Sequence, residues 1–92
     1  MMQDTSVQLI NKFGKLQLIV AIEELSELAK ELCKYLRLEA GTAFNINNLV
    51  EEVADVSIMI EQIKIYFGIN ETRLQDEINA KIERTKQRLG LK

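Results

Sequence analysis

The chain has 92 residues, 47% of them apolar and 28% charged, with a formal charge of -2. That is the balance of one small folded domain spanning 1–92, too apolar for a disordered chain and too small to bury a large core, so oligomerisation is the expected reinforcement. There is no basic run and few aromatics, which argues against a nucleic-acid polymer as partner; there is no histidine and a single cysteine, Cys33, which removes imidazole-based metal sites, catalytic triads and disulfides.

Proline is absent and glycine stands only at 14, 41, 68 and 90, punctuating long periodic segments, so an all-α chain is expected. The first helix is predicted to start after Asp4 or Thr5, where Thr5-x-x-Gln8 matches a capping box, and to run to about Leu38 with a weak point at Gly14. Its main apolar stripe is Leu18, Ile22, Leu25, Ala29, Leu32 and Leu36. Gly41 fits the position just past its end.

A polar loop over Glu39 to Ile46 leads to Asn47, a good N-cap for a second helix reaching about Phe67 before Gly68. Asn70 then caps a third, to about Leu89, with a narrow seam of Leu74, Ile78, Ile82, Thr85 and Leu89. Three main helices per protomer, completed by oligomerisation, make the expected bundle. Met1 to Ser6 lack the basic start of a secretory signal and no apolar run is long enough to span a bilayer, so a cytoplasmic protein without membrane association is expected.

Acidic clusters interrupt the first two helices: Glu23, Glu24 and Glu27, then Glu51, Glu52 and Asp55. At 100° per residue, Glu24 and Glu27 share a face with Val20 and Leu28, beside the main stripe, and Glu52 and Asp55 lie beside Val56, Met59 and Ile63. The second helix is apolar around nearly its whole circumference, the mark of a buried helix. Glu23 and Glu51 project about 100° away from their neighbours.

Glu-rich helices ordinarily present solvated faces with partners such as Lys30 for Glu27 or Lys34 for Glu31. The second cluster fits that reading poorly, because its neighbours at i+3 and i+4 are apolar and no Lys or Arg follows until Lys64. Two i,i+3 acid pairs on adjacent antiparallel helices can supply four oxygen ligands to a hard divalent cation. Without a cation they would repel one another.

These residues resemble a known family. Glu-Glu-x-x-Glu at 23–27 followed by Glu-x-x-Asp at 52–55 is similar to the MazG-like all-α nucleoside triphosphate pyrophosphohydrolases, and the stretch from Glu51 to Gln62 is similar to their small phage or bacterial members. The likeness covers 16–67 well and the third helix loosely. It implies Mg²⁺-dependent hydrolysis of a nucleoside or deoxynucleoside triphosphate between the α and β phosphates, releasing a monophosphate and pyrophosphate, in a nucleotide-pool housekeeping role. Mn²⁺ is the natural substitute ion.

By the same resemblance Glu24, Glu27, Glu52 and Asp55 are the metal ligands, and Glu23 and Glu24 are the catalytic candidates, Glu23 completing the motif and orienting water or a ligand. The implied assembly is a homodimer or homotetramer of interleaved protomers. Lys81, Arg84 and Arg88 lie along one side of the third helix, and Lys81 and Arg84 are the candidates for the outer phosphates; Lys12, Lys15 and Arg37 are further cations. Tyr35, Phe44, Tyr66 and Phe67 can stack on a base and Asn45, Asn47 and Asn48 can hydrogen-bond one, although such residues at helix ends also close cores and cap helices. The competing reading is a non-catalytic helical oligomerisation or nucleotide-binding module.

Overall fold

Local signals account for the helix boundaries in the computed structural model, which describes residues 1–37 and 44–92. Among the described residues four helices form: α1 (Met2–Phe13), α2 (Leu16–Arg37), α3 (Ile46–Phe67) and α4 (Glu71–Leu89). The count differs from the three expected because the weak point at Gly14 is a full break, and Gly14 ends a helix. Its φ of 55° lies in the region that L side chains avoid, and its N–H donates to the Ile10 carbonyl at 2.8 Å, closing α1. The chain starts α2 two residues later.

The expected capping box is also absent. α1 begins at Met2 without a side-chain cap, which puts Thr5 and Gln8 inside the helix. α3 is capped by Asn45 and not Asn47; the Asn45 side chain accepts a hydrogen bond from the Asn47 N–H at 2.8 Å. In a run containing three asparagines the first to reach a free N–H two residues ahead takes the role. The expected C-cap at Gly41 lies outside the described residues.

At the other ends the local chemistry is as read. Gly68 is left-handed at φ 65°, with the Ile69 N–H on the Lys64 carbonyl at 2.9 Å, a Schellman closure. The Asn70 carboxamide oxygen then accepts from the N–H groups of Thr72 and Arg73 at 2.8 and 3.2 Å, opening α4.

α2 lies along α3, and α1 crosses α3 with a smaller contact on α2. Residues early in α2 meet residues late in α3, as Val20 and Glu24 do with Asp55 and Met59, while Tyr35 near the end of α2 meets Phe44 just before α3. The two helices therefore run antiparallel. Among the described residues α4 packs against none of the other helices. It is tied to α3 by Lys64, whose ammonium pairs with Glu61 at 3.1 Å and with Glu71 across the turn; both hydrogen bonds, that to Glu71 foremost, push the Lys64 pKa up.

The core is small. Ala21, Val56 and Met59 are its buried apolar residues, whereas Ile22 and Leu36 of the expected stripe are 63% and 75% exposed. The face that α2 turns inward instead carries Ala21, Glu24, Leu28 and Glu31. On α3 the opposite side, with Val50, Val53 and Ile60, is open as well. The Cα radius of gyration is 16.5 Å, against about 12–13 Å for a compact chain of this size. No described helix is long and apolar enough to cross a membrane.

Candidate metal centre

Because α2 turns its acidic face toward α3, three carboxylates meet between the helices. Glu24 of α2 and Glu52 and Asp55 of α3 each offer an oxygen, and these oxygens all lie within 4.8 Å of one another. The i,i+3 spacing of Glu52 and Asp55 points both to one side of α3, and the buried Ala21, Val56 and Met59 anchor the helices beneath them. A small cavity of about 130 Å³ opens here, lined by Val20, Glu24, Asp55, Ile58 and Met59.

The electrostatics of the cluster follow from its crowding. Burial pushes the Glu24 carboxyl above the usual glutamate range, and the charges of Asp55 and Glu52 push it further. Glu52 is raised for the same reasons: burial first, then Asp55 and Glu27, partly opposed by a hydrogen bond with Glu24. One Glu52 oxygen, Oε2, is buried with no hydrogen-bond partner. Among the described residues no Lys or Arg pairs with Glu24, Glu52 or Asp55. An all-oxygen, anionic donor set with an orphaned buried oxygen fits a hard divalent cation.

The chain matches no family model, no curated protein and no solved structure.

The remaining site candidates are placed unevenly. Glu27 is exposed one turn from Glu24 and stays outside the three-oxygen cluster, although its charge reaches Glu52. Glu23 and Glu51 face solvent beside the cluster. Lys81 and Arg84 stand on α4, both beside Glu77 at 3.7 and 3.9 Å, so within one protomer they are not brought to the acids. Tyr35 and Phe44 pair edge to face at 5.1 Å, as do Tyr66 and Phe67 at 4.9 Å, so each aromatic already has an aromatic partner. Cys33 is exposed.

Glu31 is the residue whose placement sequence reasoning missed. Read as a solvated partner of Lys34, it does pair with that ammonium at 2.9 Å, but it is only 6% exposed, its second oxygen is unpartnered, and its charge reaches Glu52. The signal was present in the spacing. Glu31 follows Glu24 by two helical turns and Glu27 by one, which puts it on the same face.

Proposed function

We propose that the chain is a Mg²⁺-dependent nucleoside triphosphate pyrophosphohydrolase, cleaving between the α and β phosphates to give a monophosphate and pyrophosphate. The observation that carries this reading is the convergence of Glu24, Glu52 and Asp55 oxygens within 4.8 Å, without a Lys or Arg paired to them among the described residues. The likeness of Glu-Glu-x-x-Glu and Glu-x-x-Asp to the MazG-like pattern supplies the reaction class.

Glu24, Glu52 and Asp55 would hold the ion, with Glu27 swinging in from the next turn. Mg²⁺ supplies the positive charge that a triphosphate needs in an acidic site and makes nearby water more acidic; Mn²⁺ supplies the same. The protein's own task is position and proton transfer. Glu23, at the solvent edge, orients water, and Glu24, facing the same space, accepts the water's proton as it attacks. The buried side chains under the acids hold the geometry.

A second copy completes this account. The open stripe on α2, the unpacked α4 and the large radius of gyration favour a homodimer or homotetramer in which these faces are covered. In such an assembly α4 of one protomer can carry Lys81 and Arg84 to the phosphates held at another protomer's acids.

Substitution tests the assignment. Glu52→Gln and Asp55→Asn each remove a ligand while keeping side-chain size, and each should lower turnover by more than about 100-fold, beyond what loss of an outer-shell partner costs. Circular dichroism and sedimentation should stay as in wild type. Full turnover in either variant would remove that residue from the site.

A further inference from the structure

Next to the acids lies a second and larger cavity, of about 370 Å³, between the start of α1 and α3. Met1, Met2, Thr5, Ser6 and Ile58 line it. Ile58 also lines the acidic cavity, so one side chain forms a wall of both. Ser6 is completely buried, and its hydroxyl has no hydrogen-bond partner. Four residues along α3 from Ile58, and so on the same face, Gln62 is also buried with its carbonyl oxygen unpartnered.

We infer that this cavity takes the purine or pyrimidine base of the substrate, and that Ser6 and Thr5 hydrogen-bond its edge; the inference rests on the triphosphate reading above. The size is within the range of small-molecule sites, which are mostly apolar with a few placed polar groups. Methionine thioethers and an isoleucine suit the flat faces of a heteroaromatic ring. Each hydroxyl can donate or accept, matching either kind of edge atom. A fully buried hydroxyl without a partner needs one, and a base edge reaches it as the exposed Met1 and Met2 side chains move aside. A ligand lying across Ile58 then has its base at Ser6 and its phosphates at Glu24 and Asp55.

The test uses residues 1–92 with nothing added before Met1 and a cleavable C-terminal tag, because Met1 is part of the cavity wall. Ser6→Ala, Ser6→Leu and Thr5→Val are compared with wild type for kcat and KM on the ribo- and deoxyribonucleoside triphosphates and for inhibition by inorganic tripolyphosphate, which has no base. Saturation-transfer NMR measures binding of the free nucleosides adenosine, guanosine, cytidine, uridine and thymidine.

Ser6→Ala should raise KM for the preferred triphosphate by roughly fivefold, the worth of one hydrogen bond, and Ser6→Leu, which fills the space, by more than about tenfold. Thr5→Val should act in the same direction as Ser6→Ala. In all three kcat and tripolyphosphate inhibition should hold, and Ser6→Leu should abolish nucleoside binding.

If wild type turns over triphosphates but the three variants leave KM unchanged, the base site is wrong while the reaction stands. Wild type that binds nucleosides in a way Ser6→Leu abolishes, yet hydrolyses no triphosphate, would uphold the cavity and sink the reaction. An equal loss of tripolyphosphate inhibition would make Ser6 a packing residue of the fold and overturn the inference, and absence of both turnover and nucleoside binding would overturn both readings.

Discussion

Replacing Glu24 by Gln should change stability in opposite directions with and without Mg²⁺. In wild type without metal, Glu24, Glu52 and Asp55 crowd their oxygens within 4.8 Å, and burial and mutual repulsion raise the Glu24 and Glu52 pKa values. Removing one charge relieves that repulsion, so metal-free Glu24→Gln should melt above metal-free wild type. Binding gives the other half. At a Mg²⁺ concentration tenfold above half-saturation a single site adds RT ln 11, about 1.4 kcal/mol. At about 4–8 °C per kcal/mol for a domain of this size, the wild-type Tm should rise by roughly 6–11 °C.

Glu24→Gln keeps two of the three acids. Even a tenfold loss of affinity leaves the same Mg²⁺ concentration equal to Kd, worth about 0.4 kcal/mol, or roughly 2–3 °C. The assay is thermal unfolding followed by circular dichroism in EDTA and across a Mg²⁺ titration, with Ca²⁺ and Na⁺ as controls. Equal Mg²⁺ shifts in wild type and Glu24→Gln would refute the assignment of Glu24 as a ligand.

Other expectations follow from the same structure. Glu24 and Glu52 bind protons more tightly folded than unfolded, so their contribution to stability is fully present below the ordinary value of 4.5 and is lost as pH rises through the raised folded values. Acidifying metal-free protein from about pH 7 to the ordinary value of 4.5 should therefore raise Tm relative to a Mg²⁺-saturated sample, in which the carboxylates stay ionised; parallel Tm curves in EDTA and Mg²⁺ would count against it. Wild type should sediment as a dimer or tetramer and Ile22→Glu, on the open stripe, as a smaller species; a monomeric wild type would end the assembly argument. Lys64→Met, which removes the pairing with Glu71 across the turn, should speed amide exchange in the first turn of α4. Unchanged exchange there would mean that Asn70 and Gly68 alone position α4.

Helix existence and most boundaries were legible because they depend on short-range chemistry. Gly68 and Asn70 act within a few residues of themselves, and their roles followed from identity and order. Gly14 was harder, since a glycine within a helical pattern is either a tolerated weak point or a terminus, and only its φ decides. Asn45 and Asn47 were likewise separated by which one reached a free N–H, a matter of backbone geometry. The burial pattern resisted most. Ile22, Leu32 and Leu36 form the strongest apolar stripe on α2, yet the protomer buries the acid-bearing face beside it, because that is the face packed on α3. Hydrophobic periodicity finds apolar faces and does not say whether the same chain or another one covers them.

The candidate site was legible to the same degree. Glu24, Glu52 and Asp55 were placed together by i,i+3 spacing and an antiparallel helix pair, both of which are local or nearly so. Glu31 was missed because its Lys34 partner made it look like a surface residue. Lys81 and Arg84 depend on where α4 goes, and among the described residues α4 packs along no other helix of its own protomer, only its first turn being tied to α3 by Lys64.

The most direct test is ³¹P NMR of purified protein incubated with Mg²⁺ and each member of a panel of canonical and modified nucleoside triphosphates. The account predicts that at least one is converted to its monophosphate and pyrophosphate, that EDTA stops the reaction, and that Asp55→Asn abolishes it. A spectrum in which no triphosphate is consumed with Mg²⁺ or Mn²⁺, or in which the products are diphosphate and orthophosphate, would contradict it.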